Sequence, residues 1–485
     1  MSHEPLSPGA LSRRSALRLA GTGGLATAGG TLLGATAAQP AAAATVTAAA
    51  AIGGLGTPPP YAPSGRRPRF RRATWAQQFQ AGHGWTAAGA GTASAEPNDT
   101  SVFVRGTQSV RVTTTGTGTQ SYVRRTAQPA MNLTGKMIRL LLRVEDTAKL
   151  SKLVFYLGTG SFANFFAWTF HTHSATAANY VQSGDWVTVH LQWADVTSAV
   201  GTYSVSAAGV PSTRTGFTDM SFAVYDNAGG PVTYWLQSVE LVPDTTGVFP
   251  KGAVSLTFDD SHNSVHNLAR PAMDAYGFAG TVYNIADAIG TGAFLSVDQM
   301  RSMQDFSGWE MGGHSYATAA HTASYTGLTA QQVDDDFRRL REWLVSNGFN
   351  SEHFAYPHGA FGRTTDGVPV DLIATRHFTT ARSIVSETIE SFAPAMPYRL
   401  KALTGINDGS GIGGTTLSGL TAAGGRLDRC ANNGDWLILC LHRIVEGTPA
   451  SSTEISRTGL TTLMEAINAR GIPVVTVSEA MAYYA

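Results

Sequence analysis

The stretch AVSLTFDD, residues 253–260, sets the fold class of the C-terminal half of this chain. Residues 253–258 form an uncharged and largely apolar run of strand length, and Asp259 and Asp260 follow it directly. Further apolar runs recur downstream, and segments with helical spacing separate them. The clearest of these segments is 330–347, in which apolar residues recur at helical intervals. Strands that alternate with helices over this length predict an α/β barrel or an open α/β sheet.

The same patterns assign the other elements of this half. The predicted strands are 253–258, 280–285, 309–312, 354–356, 378–380, 399–403, 436–441 and 473–477. The predicted helices are 265–276, 297–303, 330–347 and 460–469. In folds of this class, polar residues at the carboxyl ends of strands are typical of catalytic sites. Catalytic residues are therefore expected directly after the apolar runs.

Residues 72–245 have a different pattern of apolar and polar residues, which predicts an all-β domain. Short alternating runs rich in Thr, Val and Ser are separated by turn residues such as Gly135 and Gly184, since glycine reaches positive φ at little steric cost. The runs that predict strands are 109–113, 138–144, 153–157, 186–191 and 221–225. Several short strands with regular turns favour a β-sandwich.

The segments GTQSVRV, residues 106–112, and GDWVTV, residues 184–189, resemble jelly-roll modules that accompany glycan-active enzymes. A plain structural spacer is the alternative, because a fold does not imply a function. Most aromatic side chains of such a domain are expected in its core. The aromatic residues available to stack on sugars are Trp85, Phe165, Phe166, Trp168, Phe170 and Trp186.

Residues 1–45 have the features of a bacterial export signal. A basic start that contains Arg13 and Arg14 precedes an uncharged stretch with small residues at 41–44. The paired arginines resemble a twin-arginine signal, so we expect a secreted or cell-surface protein. The uncharged stretch is too rich in Gly, Ala and Thr to favour a membrane span. Residues 46–71 are rich in Ala, Gly and Pro and predict a linker.

Composition excludes some classes of partner and scaffold. Lys and Arg together equal Asp and Glu together, at 34 each, so no strong field favours nucleic acid or anionic lipid. A polysaccharide substrate is compatible with this balance. Two cysteines, Cys430 and Cys440, do not make a disulfide scaffold. Cys440 lies in an apolar run and is interpreted as a small buried side chain, although a Cys430–Cys440 disulfide stays open.

Three of the predicted strands lead into polar clusters. Asp259 and Asp260 follow the first strand, His314 follows a second with His321 seven residues beyond it, and His442 follows a third. One carboxylate and two imidazoles suit a divalent ion such as Zn²⁺ with a position open for water. A second carboxylate can then serve as general base, and a separate imidazole as general acid.

These clusters resemble the motifs of polysaccharide deacetylases with a NodB homology domain (carbohydrate esterase family 4). The resemblance covers residues 251–485 and implies a distorted (β/α)7-8 barrel as the fold of residues 246–485. Thr-Phe-Asp-Asp matches the first motif, which implies Asp259 as base and Asp260 as metal ligand. Gly-Gly-His-Ser matches the second motif and implies His314 as a ligand.

The second and third motifs depart from the family pattern. The second histidine of the family stands four residues after the first, where this chain has Thr318, so we expect a three-residue insertion that still delivers His321 to the metal. The third motif aligns with 355–359, and Ala355 stands where the family has an arginine that orients the base. Arg382 is our candidate for that task.

The remaining assignments also follow from the resemblance. The backbone N–H of His358, within Tyr356-Pro357-His358, is implied in oxyanion binding. The sequence Leu-Cys-Leu-His matches the fifth motif and implies His442 as general acid, with Asp408 as a candidate for the aspartate that supports it. The off-motif histidines His262, His266, His353 and His377 are expected to have packing or solvent roles.

The expected activity is metal-dependent deacetylation of an acetylated polysaccharide, either an N-acetylglucosamine-type or an O-acetylated glycan, by a hydrolase of the cell wall or cell exterior. Zn²⁺ is the expected metal, with Co²⁺ and Ni²⁺ as alternatives. A catalytically inactive glycan-binding protein is the alternative function, because the motif-three arginine is missing and one histidine is displaced. A glycoside hydrolase is disfavoured, because adjacent strand residues such as Asp259 and Asp260 point to opposite faces and do not flank one bond. The sequence leaves open the glycan and the oligomeric state.

Overall fold

The computed structural model describes residues 52, 54–56, 72–172, 180–244, 248–349, 352–385 and 388–483. The predicted export signal, residues 1–45, and almost all of the predicted linker, residues 46–71, lie outside this part of the chain. Residues 41–485 belong to one compact unit. Within the described residues, no helix combines the length and apolar character that a membrane crossing requires.

Residues 72–244 fold as two facing antiparallel sheets, as the alternating runs predict. One sheet has the strand order β10-β7-β14-β4-β3 with β1 paired to β14, and the other has the order β11-β9-β8-β13-β5-β2. Strands β12 and β6 form a small separate pair. The strands are β1 (Trp75–Gln77), β2 (Thr86–Ala88), β3 (Thr92–Asp99), β4 (Ser109–Thr114), β5 (Gln120–Arg125), β6 (Met131–Asn132), β7 (Lys136–Val144), β8 (Leu150–Thr159), β9 (Asn164–Thr172), β10 (Trp186–Leu191), β11 (Ser198–Val200), β12 (Thr215–Phe217), β13 (Asp219–Asp226) and β14 (Thr233–Pro243).

The C-terminal half is built on a six-stranded parallel sheet with the order β19-β18-β17-β16-β15-β20. Its strands are β15 (Ala253–Phe258), β16 (Thr281–Ile285), β17 (Glu310–Ser315), β18 (His353–Ala355), β19 (Thr380–Arg382) and β20 (Trp436–Leu441). Two short strands, β21 (Arg443–Val445) and β22 (Glu454–Ser456), pair with each other outside this sheet. Every residue of β15 and of β20 is buried, as expected for parallel strands covered on both faces.

Nine α-helices among the described residues of this half connect and cover the strands. They are α1 (Arg270–Asp274), α2 (Val297–Ser307), α3 (Thr318–Ala323), α4 (Ala330–Ser346), α5 (Val370–Ala374), α6 (Leu417–Thr421), α7 (Arg426–Asn433), α8 (Arg457–Arg470) and α9 (Val477–Ala482). A π-helical turn (Val265–Ala269) leads into α1, so the predicted helix 265–276 is split in two. Helix α4 is the clearest match to its prediction: it begins at a capping box on Thr329 and buries the apolar face that includes Val333, Phe337 and Leu340.

Short connecting segments close the sheet into a distorted barrel. Leu400 bridges to Arg382 of β19, and Leu403 bridges to Leu439 of β20, so residues 400–403 join the two edges. Val474 bridges to Val254 at the start of β15. The predicted strands 399–403 and 473–477 are therefore wrong as regular strands, because each pairs through isolated bridges, whereas the predicted barrel is confirmed.

The sandwich and the barrel have largely separate hydrophobic cores, although Val385 and Met396 of the barrel pack on the sandwich core, and polar contacts also join the two parts. The main sandwich core draws on both of its sheets. The barrel has one cluster between its strands and helices and a second one that includes Tyr283, Leu400 and Trp436.

Between the sandwich and the barrel, the Gln192 amide donates to Asp435 at 3.1 Å and accepts from Lys401 at 3.2 Å. Asp195 accepts the backbone N–H of Ile389 at 3.1 Å. The interface joins both parts into the compact unit described above, and the domain boundary near residue 245 stays a prediction.

The aromatic candidates of the sandwich divide between core and surface. Trp85, Phe166 and Trp168 are buried in its core, whereas Phe165 lies half-buried on the outer face of β9. Both cysteines are buried and free, so no Cys430–Cys440 disulfide forms.

The interface leaves Asp435 in an unfavourable position for a charge. Burial raises the pKa of Asp435 well above its ordinary value, and the nearby carboxylates of Asp244 and Asp195 raise it further. A raised folded-state pKa stabilises the fold at acid pH, and that contribution is lost as the pH rises through the folded-state pKa. We expect Asp435→Asn to raise the Tm at neutral pH by about 1–3 °C and to have little effect in acid.

Thermal unfolding at several pH values measures this effect. The matched control is Asp305→Asn, which removes one exposed carboxylate from α2. A Tm of Asp435→Asn below wild type at neutral pH would show that the ionised carboxylate stabilises the interface.

Candidate metal and catalytic site

The two aspartates after β15 leave the strand through an unusual turn. Asp259 still donates its backbone N–H to Leu441 of β20 at 2.9 Å, but Asp260 and Ser261 have φ values of +67° and +58°. Side chains other than glycine rarely adopt this left-handed conformation, which costs on the order of 1 kcal/mol per residue. The Ser261 hydroxyl accepts the N–H of Ile285 at 2.9 Å and fixes the turn. The turn sends the two neighbouring carboxylates to different partners.

Asp260 meets the two predicted histidine ligands. Its Oδ1 lies 3.1 Å from Nε2 of His321 and 3.5 Å from Nε2 of His314. The candidate ligand atoms of these three residues all lie within 4.8 Å of one another. The hydrogen bonds to His314 and His321 keep the pKa of Asp260 below its usual range, although burial acts in the opposite direction. The structure therefore brings together the three side chains that the sequence predicts as ligands.

The orientation of His314 fits a metal ligand. Its Nδ1 lies 2.7 Å from the carbonyl oxygen of Ala355, which accepts the Nδ1–H and leaves Nε2 directed at Asp260. A carbonyl partner on the second ring nitrogen is the usual support for a metal-bound histidine. One carboxylate and two imidazoles held in this way are a donor set that fits Zn²⁺, Co²⁺ or Ni²⁺.

Helix α3 explains the displaced histidine. Thr318, which stands where the resemblance places the second histidine, is the first residue of α3, and its N–H and hydroxyl donate to Asp287 at 2.8 and 2.6 Å. Residues three apart share a helix face. His321 therefore reaches Asp260 from the next position on that face.

Sequence reasoning missed the groups that hold this loop. Asp287 gave no signal, because a lone aspartate is common at a helix start. Asp336, on α4, accepts the N–H groups of Tyr316 and Ala317 at 2.9 and 3.0 Å and the hydroxyl of Tyr325 at 2.6 Å. An acidic residue beside the apolar stripe of an amphipathic helix is the pattern that could have found Asp336.

Asp259 is paired with Arg382 inside the barrel. Nη2 of Arg382 lies 2.5 Å from Oδ2 of Asp259, and both side chains are almost fully buried. Burial alone would raise the pKa of Asp259, but Arg382, His314 and His442 outweigh it and hold that pKa below its ordinary value. Ala355 of β18 and Arg382 of β19 are direct partners across the parallel pair. The guanidinium thus approaches from the strand next to the one that carries the motif.

Cys440 and His442 lie next to Asp259. The Cys440 thiol lies 3.3 Å from Oδ2 of Asp259, so it donates to the same carboxylate. Nδ1 of His442 is buried and has no hydrogen-bond partner among the described residues. Burial lowers the pKa of His442, and Arg382 and His314 lower it further against the opposing carboxylates of Asp259 and Asp260.

Residues 356–359 form a tight turn at the rim of the site. His358 has a φ of +55°, and its Nε2 lies 3.2 Å from the carbonyl oxygen of His321. The N–H groups of Gly359 and Ala360 are used within the turn, by the carbonyls of Tyr356 and Pro357. Gly359 has a φ of +68°, and a Cβ there would lie 2.9 Å from the backbone nitrogen of Ile384, so the turn requires glycine.

The side chain of Tyr356 packs beneath this rim turn. Its side chain is fully buried, and its hydroxyl donates to the carbonyl of Tyr398 at 3.0 Å. The predicted substrate residue Tyr356 therefore contributes to the packing beneath the turn.

Asp408 is wrong as the supporting aspartate of His442. Both of its carboxylate oxygens accept hydrogen bonds from Ser456, at 2.9 Å from the N–H and 2.5 Å from the hydroxyl, where α8 begins. Among the off-motif histidines, His377 is buried against Asp334 at 2.7 Å and has the expected packing role. His262 stacks on Phe294, with ring centroids 5.7 Å apart.

Residues 246–372 match the family model for polysaccharide deacetylases. This segment carries Asp259, Asp260, His314, His321 and the 356–359 turn, whereas Arg382 and His442 lie beyond it. The match confirms the deacetylase resemblance for this part of the barrel.

The Bacillus subtilis (strain 168) protein YxkH, which carries a provisional polysaccharide deacetylase name, is 28% identical over 117 residues. That alignment covers 23% of this chain and 39% of the relative, so this chain spans well under half of that protein.

Solved structures with similar chains include two carbohydrate esterases. One is a family 4 acetyl xylan esterase from Clostridium thermocellum in complex with a cobalt ion, at 19% identity and a TM-score of 0.31. The other is the esterase domain of a multidomain xylanase from the hindgut metagenome of Trinervitermes trinervoides, at 17% identity and a TM-score of 0.31. Each comparison covers 48% of this chain and 91% of the other.

The capping of α3 by Asp287 makes a prediction about metal affinity. We expect Asp287→Ala to weaken divalent-metal binding about 10-fold, because α3 then holds His321 less firmly. Isothermal titration with Zn²⁺ measures this. Asp298→Ala removes an exposed carboxylate from the first turn of α2 and should leave the affinity unchanged. Equal affinities for the two variants would show that Asp287 does not position His321.

Proposed function

We propose that this protein is a metal-dependent hydrolase that removes acetyl groups from an acetylated polysaccharide, either an N-acetylglucosamine-type or an O-acetylated glycan. The observation that carries the proposal is the separation of two adjacent carboxylates. Asp260 is directed at two imidazoles, while Asp259 is held by Arg382 and kept out of that group. This separation supports one aspartate as the cation ligand and its neighbour as the proton acceptor.

Asp260, His314 and His321 would hold the ion in this proposal. When bound, it would polarise the acetyl carbonyl and make the attacking water more acidic. Zn²⁺ fits the donor set, and Co²⁺ and Ni²⁺ fit it as well.

The protein's own groups carry the proton transfers. Asp259 is kept ionised by Arg382, which suits a base that takes a proton as water attacks the acetyl carbon. The N–H of His358, at the rim turn, would donate to the developing oxyanion. His442, in its protonated form, would give that proton to the leaving nitrogen or oxygen as the bond to the acetyl carbon breaks. Acetate and a free amine or hydroxyl are the products.

Arg382 bears on the alternative of an inactive glycan-binding protein. That alternative drew support from the missing arginine at Ala355. Because Arg382 is the strand partner of Ala355 and contacts Asp259, an arginine is present beside the base despite the altered motif. The displaced histidine likewise lies within reach of Asp260. Both departures that favoured the inactive protein have a local replacement.

We further propose that the sandwich binds the same polysaccharide through the outer face of its second sheet. Tyr122, Tyr156, Phe165 and Tyr225 pack there around small buried residues, separately from the main core. The Gln120 amide donates to the hydroxyl of Tyr225 at 2.7 Å, and that hydroxyl lies 3.2 Å from the hydroxyl of Tyr156. Rings combined with polar groups suit sugars, whose faces are apolar and whose edges carry hydroxyls.

We also propose that the protein is exported from the cytoplasm. The twin-arginine-type pattern of residues 1–45 favours export to the cell surface or the medium, where cell-wall and other extracellular glycans are available. Export of a folded protein is compatible with a metal site assembled from several strands.

Acetate release tests the enzyme proposal. Mature protein with Zn²⁺ should release acetate from at least one member of a panel of N- and O-acetylated glycans, and a chelator should abolish it. Asp259→Asn should lower kcat at least about 100-fold, because the amide cannot accept the proton. Tight glycan binding without acetate release from any substrate would favour the inactive glycan-binding protein.

Substitutions at the paired positions Arg382 and Ala355 test whether the guanidinium acts through Asp259. Arg382→Ala should lower kcat at least about 100-fold with little change in KM, and Arg382→Lys should recover part of the loss. In the Arg382→Ala background, Ala355→Arg should also recover activity, because the new guanidinium starts from the partner position and fills the vacated space. Failure of both rescues in folded, metal-loaded protein would show that Arg382 does not act through Asp259.

The glycan-binding face has its own test, on the Asp259→Asn background so that substrate is not consumed. Tyr156→Ala and Tyr225→Ala should each weaken binding of the substrate glycan about 3- to 10-fold, because each removes a stacking ring. Phe306→Ala, which removes an exposed ring from α2, is the control and should not change the affinity. Equal binding by all three variants would remove the sandwich from glycan recognition.

A further inference from the structure

A second group of potential metal ligands lies beside the proposed ion site. Asp259, Cys440 and His442 place a carboxylate oxygen, a thiol sulfur and an imidazole nitrogen within 4.8 Å of one another. None of these residues belongs to the trio of Asp260, His314 and His321. The two groups adjoin, since Nε2 of His314 lies 3.9 Å from Oδ2 of Asp259.

The spacing and chemistry of this second group suit a thiophilic cation. Zn–sulfur and Zn–oxygen bond lengths place neighbouring ligand atoms of a tetrahedral site roughly 3.5 Å apart. The Cys440 sulfur and Oδ2 of Asp259 are 3.3 Å apart. A set of thiolate, imidazole and carboxylate favours Zn²⁺ and Cd²⁺ over Mg²⁺ or Ca²⁺.

Two atoms of the group have unused bonding capacity. Oδ1 of Asp259 and Nδ1 of His442 are buried and have no hydrogen-bond partner among the described residues. Buried polar atoms are nearly always partnered, so two orphans on one small cluster indicate a place for a further ligand. His442 is only half-buried, so the group is in contact with solvent.

We propose that Asp259, Cys440 and His442 form a second, inhibitory site for Zn²⁺ and similar thiophilic divalent cations. Binding replaces the thiol proton of Cys440, which passes to solvent, and forms a metal–sulfur bond with no change of oxidation state. The carboxylate and the thiolate together offset the charge of the cation. Arg382, in contact with Asp259, and an ion at the first site both oppose it, so the second site fills only when metal is in excess.

The consequence for activity rests on the proposed function. A cation on this trio occupies the proposed base and the proposed acid at the same time, so neither can transfer a proton. Activity should therefore rise as the first site fills and fall as the second one does. Binding to the trio is independent of catalysis and can be measured without a substrate.

Cadmium titration of the full protein tests the site directly. The first equivalent should fill Asp260, His314 and His321, which offer no sulfur, and should add no Cd–thiolate absorption. The second equivalent should add it. The absorption should be lost in Cys440→Val, which keeps the side-chain volume, and kept in Cys430→Ser, since Cys430 faces the carbonyl oxygens of Ala253 and Asp435.

Excess Zn²⁺ provides the second measurement, scored against each variant's own peak activity. In excess Zn²⁺, the activity of wild type and of Cys430→Ser should fall more than about 10-fold below its peak. The activity of Cys440→Val should fall less than about 2-fold. Cys440→Ser covers the case in which the valine variant fails to fold. No thiolate absorption in the wild type, or equal zinc inhibition of folded Cys440→Val, would overturn the proposal. If no glycan is deacetylated but thiolate absorption appears, the proposed function fails while the metal site stands.

Discussion

The buried pair of Arg382 and Asp259 is the interaction around which the end of the barrel is organised. Both side chains are removed from water, and each charge would be costly there without the other. The guanidinium also lies over the ring of Tyr283, with its carbon 5.2 Å from the ring centroid. Removing one partner leaves a buried charge unpaired, which typically costs about 3–5 kcal/mol. The pair thus fixes the direction of Asp259 in a way that a solvent-exposed ion pair could not.

That constraint allows Asp259 and Asp260, which are neighbours in the chain, to contact different partners. On a regular strand, Asp259 and Asp260 would simply alternate between the two faces. Here the left-handed turn at Asp260 and Ser261 directs Asp260 to the imidazoles of His314 and His321, while Asp259 stays under Arg382. The backbone strain of the turn is therefore tied to the different partners of the two carboxylates, on which the proposed division between cation binding and proton transfer rests. Ser261 holds the turn through the N–H of Ile285.

Much of the fold could be predicted from the sequence because its periodicity is strong. The run 253–258 and the run 436–441 match β15 and β20, and the amphipathic segment 330–347 matches α4 within one residue. Segments such as 399–403 and 473–477 could not be assigned correctly, since a few apolar residues do not show whether a segment pairs along its length or at one bridge.

The candidate site was predictable where residues follow strands and unpredictable where loops hold them. The residues that the motifs single out, including the displaced His321 and the relocated Arg382, come together at one end of the barrel. Register explains why Arg382 reaches Asp259: a residue on β19 opposite Ala355 begins from nearly the same place. Asp287 and Asp336 were missed and Asp408 was misassigned, because their partners are backbone N–H groups and hydroxyls, which leave no spacing signature.

The separation of the two aspartates can be observed directly by anomalous diffraction at the zinc edge, from crystals grown with one equivalent of Zn²⁺. The structure predicts a single peak in coordination distance of Asp260, His314 and His321, with Asp259 still paired to Arg382 and not ligating. A peak on Asp259, or one shared with Cys440 and His442 at this stoichiometry, would contradict the division between a cation-binding and a proton-accepting carboxylate.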